Sequence, residues 1–262
     1  MVLSREMGVK QRARLERYLE LERSLRQRLS EHNGTLLRFN QLYVKVSEIA
    51  EQFYCETKVE MTHLHGRVET EIKKEGSVGH ESLQAESVEV ERSKLLEEIF
   101  AGEPIIVHEL PLMAEHRSVI LVGQPDAIIF RDGVPVALLE VKFSNSPYPY
   151  RSYHAQARIY GRVLDCAGFD TTDLFYVIAV APRGSRGDGG LFGRVIEGLK
   201  ECGSGEASFE VDGAHVYIYE YNQPESVKDL DWALDYWRGS RDALPPDNQA
   251  KCRNCEYREK CL

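Results

Sequence analysis

Two carboxylates and a lysine stand out by their placement. Asp126 closes the stretch Gly123-Gln124-Pro125-Asp126, and Glu140 and Lys142 flank Val141 near the end of the apolar run VPVALLEVKF. A strand alternates its faces, so Glu140 and Lys142 emerge on one side while Val141 points to the other. Two carboxylates brought together hold a hard divalent cation, Mg²⁺ or Mn²⁺, which prefers oxygen ligands. Such an ion polarises a phosphoryl oxygen and lowers the pKa of an attacking water. A lysine beside it would position that water or neutralise charge growing on the phosphate. By itself a Glu-x-Lys triplet is usually an exposed pair beside a core strand. Its weight here comes from order: a strand, the acid, a hairpin, then the triplet at the far end of a strongly apolar strand.

Whether Asp126 shares the face of Glu140 depends on the hairpin between them. A two-residue loop at Asp132-Gly133 would set Asp126 opposite Leu139, on the wrong face. A three-residue loop, Arg131-Asp132-Gly133 with Gly133 left-handed, pairs Phe130 with Val134 and sets Asp126 opposite Leu138. Asp126 and Glu140 then form a diagonal pair, roughly 7–8 Å apart at the backbone. The expectation is therefore a bulged three-residue turn.

A second constellation ends the chain. Cys252, Cys255 and Cys261 follow the spacing C-x2-C-x5-C, three of the six cysteines within ten residues. Three thiolates are one short of a four-coordinate site, and clustered cysteines in a reducing compartment point to metal or redox chemistry more than to disulfides. Iron–sulfur and zinc both suit thiolates. Cys166 and Cys202 read as ordinary buried or semi-buried thiols, and His63 and His65 as solvated.

The elements that must carry these residues are legible in outline. A charged helix over 4–31 keeps Leu15, Tyr18, Leu25 and Leu29 near helical spacing. Ser47 could cap a short helix that delivers Cys55. Residues 82–100 read as a helix with Val88, Leu95, Leu96 and Ile99 on one side. Three strands follow, IIVHELPLM, SVILVGQPDAIIF and VPVALLEVKF, then a helix in SYHAQARIYGRVL and strands in DLFYVIAVA and AHVYIYEY. The loop PRGSRGDGG precedes a helix in LFGRVIEGLKECG and carries Arg183 and Arg186 as candidate DNA contacts. No phosphate-binding G-x-x-x-x-G-K-[ST] occurs, so no ATP motor is encoded. The order implies a mixed α/β core.

With 262 residues and a net charge of −9, the chain is not coated for nonspecific DNA binding. Charge is uneven, however: 69–103 is acidic, while 1–31 and 151–194 are rich in basic residues. No run approaches the ~18 apolar residues of a spanning helix, and the N-terminus lacks the apolar core of a signal peptide. The expectation is a cytoplasmic protein with no membrane partner.

These motifs resemble, in order, those of the PD-(D/E)XK nuclease superfamily and its RecB-like branch. Gly76, Gly79 and His80 match the glycine–histidine motif, Asp126 the aspartate motif, Glu140-Val141-Lys142 the E-x-K motif, and Gln156 with Tyr160 the Q-x-x-x-Y helix motif. The resemblance implies a mixed sheet flanked by helices, with His80, Asp126, Glu140 and the Val141 backbone carbonyl as metal ligands. It makes Lys142, Glu140 and Asp126 catalytic, and has Gln156 and Tyr160 organise the site and contact substrate. One RecB-like group, the CRISPR-associated nucleases of the Cas family numbered four, carries a 4Fe–4S cluster on one cysteine before the core and three after it. By that resemblance Cys55 is the fourth ligand beside Cys252, Cys255 and Cys261, although Glu56 stands where the group commonly has proline. The resemblance covers about 42–262. It implies a Mg²⁺- or Mn²⁺-dependent exonuclease on single-stranded DNA, serving CRISPR spacer acquisition beside the integrase complex, with self-association left open. It divides the chain into a charged helical region (1–41), a cluster-ligand segment (42–75), a nuclease core (76–222) and a C-terminal helix and cluster segment (223–262) within one structural unit. A stand-alone repair nuclease, a noncatalytic DNA-binding subunit and a zinc-binding adaptor remain the alternatives.

Overall fold

The computed structural model describes residues 9–68, 92–101, 103–183, 190–201 and 207–261. His80, Cys202 and Arg186 lie outside them, as do Val88 and most of the helix expected from 82. The first helix, α1 (Val9–Ser30), buries Leu15, Tyr18, Glu22 and Leu25 in one stripe. The strand β1 (Tyr43–Lys45) leads into α2 (Val46–Gln52) and α3 (Glu56–His65), and α4 (Arg92–Ile99) follows. Ser47 does not cap α2. Lys45 occupies the cap position, and Glu48 reaches back to its N–H at 3.2 Å.

The three expected strands between 105 and 143 are five, in two sheets. Strands β2 (Ile105–His108), β5 (Ala127–Arg131) and β6 (Val134–Phe143) belong to a six-stranded sheet, whereas β3 (Leu112–His116) and β4 (Val119–Gly123) pair with β1 in a separate three-stranded sheet. The breaks fall at Pro111 and Pro125, because proline cannot donate to a ladder. The chain thus leaves the small sheet at Gly123 and enters the large one at Ala127, and Asp126 sits on the crossing. Beyond β6 come α5 (Arg151–Cys166), β7 (Phe175–Ala181), α6 (Leu191–Glu201), β8 (Ser208–Val211), β9 (Ala214–Glu220) and α7 (Gln223–Trp237), with the short α8 (Arg258–Cys261) near the end. The sequence reading missed β8, although Asp212-Gly213 is a strong hairpin signal.

The large sheet runs β2-β5-β6-β7-β9-β8, with β6 and β7 parallel and the remaining pairs antiparallel. Both its faces are covered. Ile128, Phe130, Leu138 and Ile178 join the core that includes Ile159 and Val163 of α5 and Leu234 and Trp237 of α7. Ala127, Leu139, Val141, Val177 and Ala179 meet Leu191, Phe192 and Val195 of α6 on the other side. Among the described residues no helix is long and apolar enough to cross a membrane.

The hairpin corrects the expected turn. Arg131 pairs with Val134, so the loop is the two-residue Asp132-Gly133, with both residues left-handed (φ 54° and 71°). Parity is restored inside the strand instead. Phe130 pairs with Pro135 but Ile129 with Ala137, so Val136 is the extra residue of a bulge. Pro135 explains its position, since a proline in a central strand is accommodated at bulges. Ala127 therefore faces Leu139, and one step further sets Asp126 directly across from Glu140 rather than diagonal to it.

Gly133 has a second reason to be glycine: a Cβ there would lie 2.4 Å from Cδ1 of Phe100, whereas at Gly213 the nearest atom is 3.9 Å away. Both glycines have positive φ. Gly213→Ala should lose about 1–2 kcal/mol from backbone conformation alone. Gly133→Ala should lose about 2–4 kcal/mol, because overpacking against Phe100 is added. Urea denaturation checks this, and equal losses would show that Phe100 does not constrain the turn.

Candidate active site

Glu140 lies on β6 between β5 and β7 with 0% of its surface exposed. Alternation from Leu138 turns it toward the α5 face, as it does Lys142. The ammonium of Lys142 donates to Glu140 Oε2 at 2.6 Å. Asp126 Oδ2 accepts the Val141 N–H at 2.7 Å, which fastens the crossing segment to the strand that carries the other two residues. Burial pushes the Glu140 carboxyl up to about 7; Lys142 opposes the rise and the Asp126 carboxylate adds to it. Burial alone would lower the Lys142 pKa, but Glu140 and Asp126 overcome it and the net shift is upward. Glu140 Oε1 is buried with no hydrogen-bond partner. An unsatisfied buried oxygen costs about 1–3 kcal/mol, more when charged, and a cation would offset that cost.

The helix residues organise the acid-bearing segment. Tyr160 is buried, and its hydroxyl donates to the Gln124 carbonyl at 3.0 Å and accepts the Gln124 N–H at 3.3 Å. Gln156 bonds the same hydroxyl, whose pKa is raised by burial and then by Glu140. Gly123 is required by this clamp, because a Cβ there would fall 2.5 Å from the Tyr160 ring and 2.9 Å from Val46. Tyr153 completes the face, with Lys142 Nζ 5.9 Å from its ring centroid. The sequence reading omitted Tyr153, yet its spacing to Gln156 and Tyr160 (i, i+3, i+7) marks one helix face. Val141 itself packs under α6 on the opposite face. His80 and its glycines cannot be placed, being outside the described residues.

The cysteines gather at another corner. Cys55 precedes α3 and is buried; Cys252 ends up in a short 3-10 turn, Cys255 closes that turn, and Cys261 ends α8. Burial first, then Cys255, Cys252 and Cys261, raise the Cys55 pKa, so the four thiols lie within electrostatic reach of one another. None of the described cysteines forms a disulfide. Nor do they close a ligand shell as they stand: among the described residues no group of three or more His, Cys, Asp or Glu is arranged to hold a metal ion.

Glu56, which follows Cys55, proves to be an anchor. It is 1% exposed and accepts Arg241 at 2.5 and 2.6 Å, Gln52 at 2.8 Å and the Leu244 N–H at 2.9 Å. The residue after Cys55 thus binds the segment leading to the other three cysteines. Tyr257 adds a bond to the Gly66 carbonyl at 2.6 Å, and Lys58 pairs with Glu256 at 3.3 Å.

Two other residues depart from or extend their readings. His63 is not solvated: it stacks on Phe39 (4.5 Å, 5°) and pairs with Glu48 at 3.2 Å. Cys166 lies 4.0 Å from His116 Nδ1, and His116 Nε2 lies 3.0 Å from Asp231, an outline of a nucleophilic triad. It lacks activation, because Arg162 stands 3.2 Å from the same Nδ1 and burial raises the thiol pKa.

No family model matches the chain. Three curated relatives match over 45 residues each: the mitochondrial exonuclease V of Candida albicans WO-1 and of C. albicans SC5314, both 31% identical, and that of Candida dubliniensis CD36, 33% identical. Each match spans 17% of this chain and 7% of the relative. The crystal structure of SSO0001 aligns over 91% of this chain and 94% of its own at 14% identity, with a TM-score of 0.44.

The Glu140 shift sets a pH dependence. Folded, Glu140 keeps its proton to about pH 7; unfolded, it releases it near the ordinary 4.5. Between these values the folded chain binds more protons, so this residue erodes stability as pH rises through the window. In metal-free buffer, Glu140→Gln should show a shallower loss of stability between pH 5 and 7 than wild type. Parallel curves from denaturant titrations at each pH would show that Glu140 is not held protonated by burial.

Proposed function

We propose that this chain is a metal-dependent deoxyribonuclease of the PD-(D/E)XK class, degrading single-stranded DNA as an exonuclease. The observation that carries the reading is the buried Glu140 with its unsatisfied Oε1, set across from Asp126 and bonded to Lys142. A noncatalytic DNA-binding subunit has no use for so costly a group. The short matches to mitochondrial exonuclease V support nuclease activity in general.

Asp126 and Glu140 would hold Mg²⁺ or Mn²⁺, with His80 and the Val141 carbonyl as the further ligands. The bound ion supplies charge neutralisation at a phosphoryl oxygen and acidifies water. Lys142 holds a positive charge at the carboxylate pair, where it can donate to a nonbridging oxygen or orient the water that attacks phosphorus. Tyr160 and Gln156 keep the Gln124–Asp126 segment at the distance that both carboxylates require. At the cysteine corner, Cys55, Cys252, Cys255 and Cys261 would bind a 4Fe–4S cluster. Burial and then the neighbouring cysteines raise the pKa of Cys55 and of Cys261, so a cationic centre at this corner would favour their thiolate forms.

The biological setting follows the resemblance to the CRISPR-associated group, with trimming of DNA for spacer acquisition beside the integrase complex. A stand-alone exonuclease is the second reading, and the exonuclease V matches favour it. Self-association and a cytoplasmic location belong to the same proposal.

End-labelled single-stranded DNA should be degraded in Mg²⁺ or Mn²⁺ and left intact in EDTA. Asp126→Ala, Glu140→Gln and Lys142→Ala should each lower the rate by about 10²–10³-fold or more, since each removes charge stabilisation at the reacting phosphate. Full activity in EDTA, or in Glu140→Gln, would remove the assignment.

Anaerobically purified protein should be brown and contain iron and sulfide. Cys55→Ser, Cys252→Ser, Cys255→Ser and Cys261→Ser should bleach it, while Cys166→Ser should not. A colourless protein with one tightly held zinc would replace the cluster by a structural zinc site.

A further inference from the structure

The segment after the E-x-K strand presents aromatic surface that the catalytic reading does not use. Residues 144–150 read SNSPYPY and join β6 to α5. Tyr148 is 68% exposed and Tyr150 49% exposed, large apolar areas left in water. Tyr150 meets Tyr153 edge to face at 5.2 Å, and Tyr153 in turn lies 5.9 Å from Lys142 Nζ. Tyr150 is therefore one side chain removed from the proposed reacting phosphate, while Tyr148 stands two residues earlier on the same loop and acts electrostatically on Tyr217 of β9. The loop is stiff: Pro147 and Pro149 fix their own φ, Ser144 Oγ accepts the Ser146 N–H at 3.1 Å, and Ser146 Oγ accepts the Tyr148 N–H at 3.3 Å. A stiff loop loses little entropy when something stacks on it.

Charge identifies the occupant. Lys142 stands behind Tyr153, the ring that Tyr150 meets, and Arg183, exposed at the end of the strand beside β6, acts electrostatically on the same Tyr153. Aromatic faces flanked by cations and continuous with a phosphodiester site suit a strand that carries both bases and phosphates. A duplex hides its base faces, so the strand must be unpaired at this point. Resting on the nuclease reading, we propose that Tyr148 and Tyr150, backed by Tyr153, form a stacking platform for unpaired bases. It would hold the strand so that the adjacent phosphate reaches Lys142. The platform makes the enzyme selective for single-stranded ends without reading sequence, since every base has a π-face.

The test uses the full chain with two probes: fluorescent oligo(dT), bound in EDTA so that nothing is cut, and thymidine 5′-p-nitrophenyl phosphate, a diester too small to span site and platform. Tyr148→Ala/Tyr150→Ala should weaken oligo(dT) binding by roughly 10- to 100-fold. Tyr148→Phe/Tyr150→Phe, which keeps the rings, should bind within about twofold of wild type, and an abasic oligomer should bind weakly and be indifferent to the substitutions. Hydrolysis of the small diester in Mn²⁺ should be unchanged in the double variants. Undiminished oligo(dT) binding by the alanine variant would overturn the platform while leaving the nuclease reading intact. So would equal loss with the abasic oligomer or with duplex DNA, or failure of the phenylalanine variant to restore binding, which would point to a protein-facing surface or a structural role. Wild-type protein that, supplied with Mn²⁺, hydrolyses neither the small diester nor oligo(dT) would instead overturn the nuclease reading, with the binding comparison in EDTA still deciding the platform.

Discussion

A carboxylate buried in the middle of a six-stranded sheet governs how this molecule is built. Glu140 has strands on both sides and its surface wholly covered. Removing an ionised carboxylate from water costs several kcal/mol even after relaxation, and one ion pair seldom returns all of it. Lys142 at 2.6 Å offsets part of the cost, but Asp126, brought opposite by the strand register, adds like charge. The pair of acids is therefore held together against its own electrostatics. A cation between the two carboxylates would relieve that repulsion.

Holding Asp126 there depends on the crossing between sheets. The chain passes from β4 to β5 through Gln124, Pro125 and Asp126, which belong to no strand. The contacts that hold it include the Val141 N–H on Asp126, the Tyr160 hydroxyl on both backbone groups of Gln124, the Tyr160 ring against Gly123, the Glu109 N–H on the Asp126 carbonyl at 3.2 Å and the Gln124 side chain on the Glu109 carbonyl at 2.8 Å. Two of these come from α5, so the helix holds the acid-bearing segment in place although it lends no carboxylate. Lengthening Gly123 by one methyl would press on the ring and on Val46 at once, so the glycine, the tyrosine and the acid form a single unit.

Much of this was legible in residue order, and the failures have definite causes. The alternation of Glu140, Val141 and Lys142 on a strand is local and needed no tertiary knowledge. The turn was harder. Parity demanded one extra residue between Asp126 and Glu140, and the loop was the obvious place for it. Asp132-Gly133 already satisfied a two-residue turn, and Pro135 had to be accommodated in a central strand, so the extra residue moved to Val136. Splitting of the long strands at Pro111 and Pro125 had the same origin, a missing donor read as tolerable when it was decisive. His63 was misjudged because its partners are distant in sequence: its neighbours in space are Phe39 and Trp237.

The cysteine corner shows a different division of labour. Cys55 and the three C-terminal cysteines are far apart in the chain, and a metal could have been the sole tie between them. Glu56 makes that unnecessary. Its carboxylate draws Arg241, Gln52 and the Leu244 amide around it, and Gln52 extends the network to the Trp237 indole at 2.7 Å. A proline at this position could accept none of these bonds through its side chain, so the glutamate makes this turn a buried ionic anchor. Such an anchor closes the long loop by itself, and loop-closure entropy rises only slowly with length. Ligation of a metal would then act on thiols already brought near one another. Its contribution is to overcome their mutual repulsion and close the last separation, more than to bring the chain ends together.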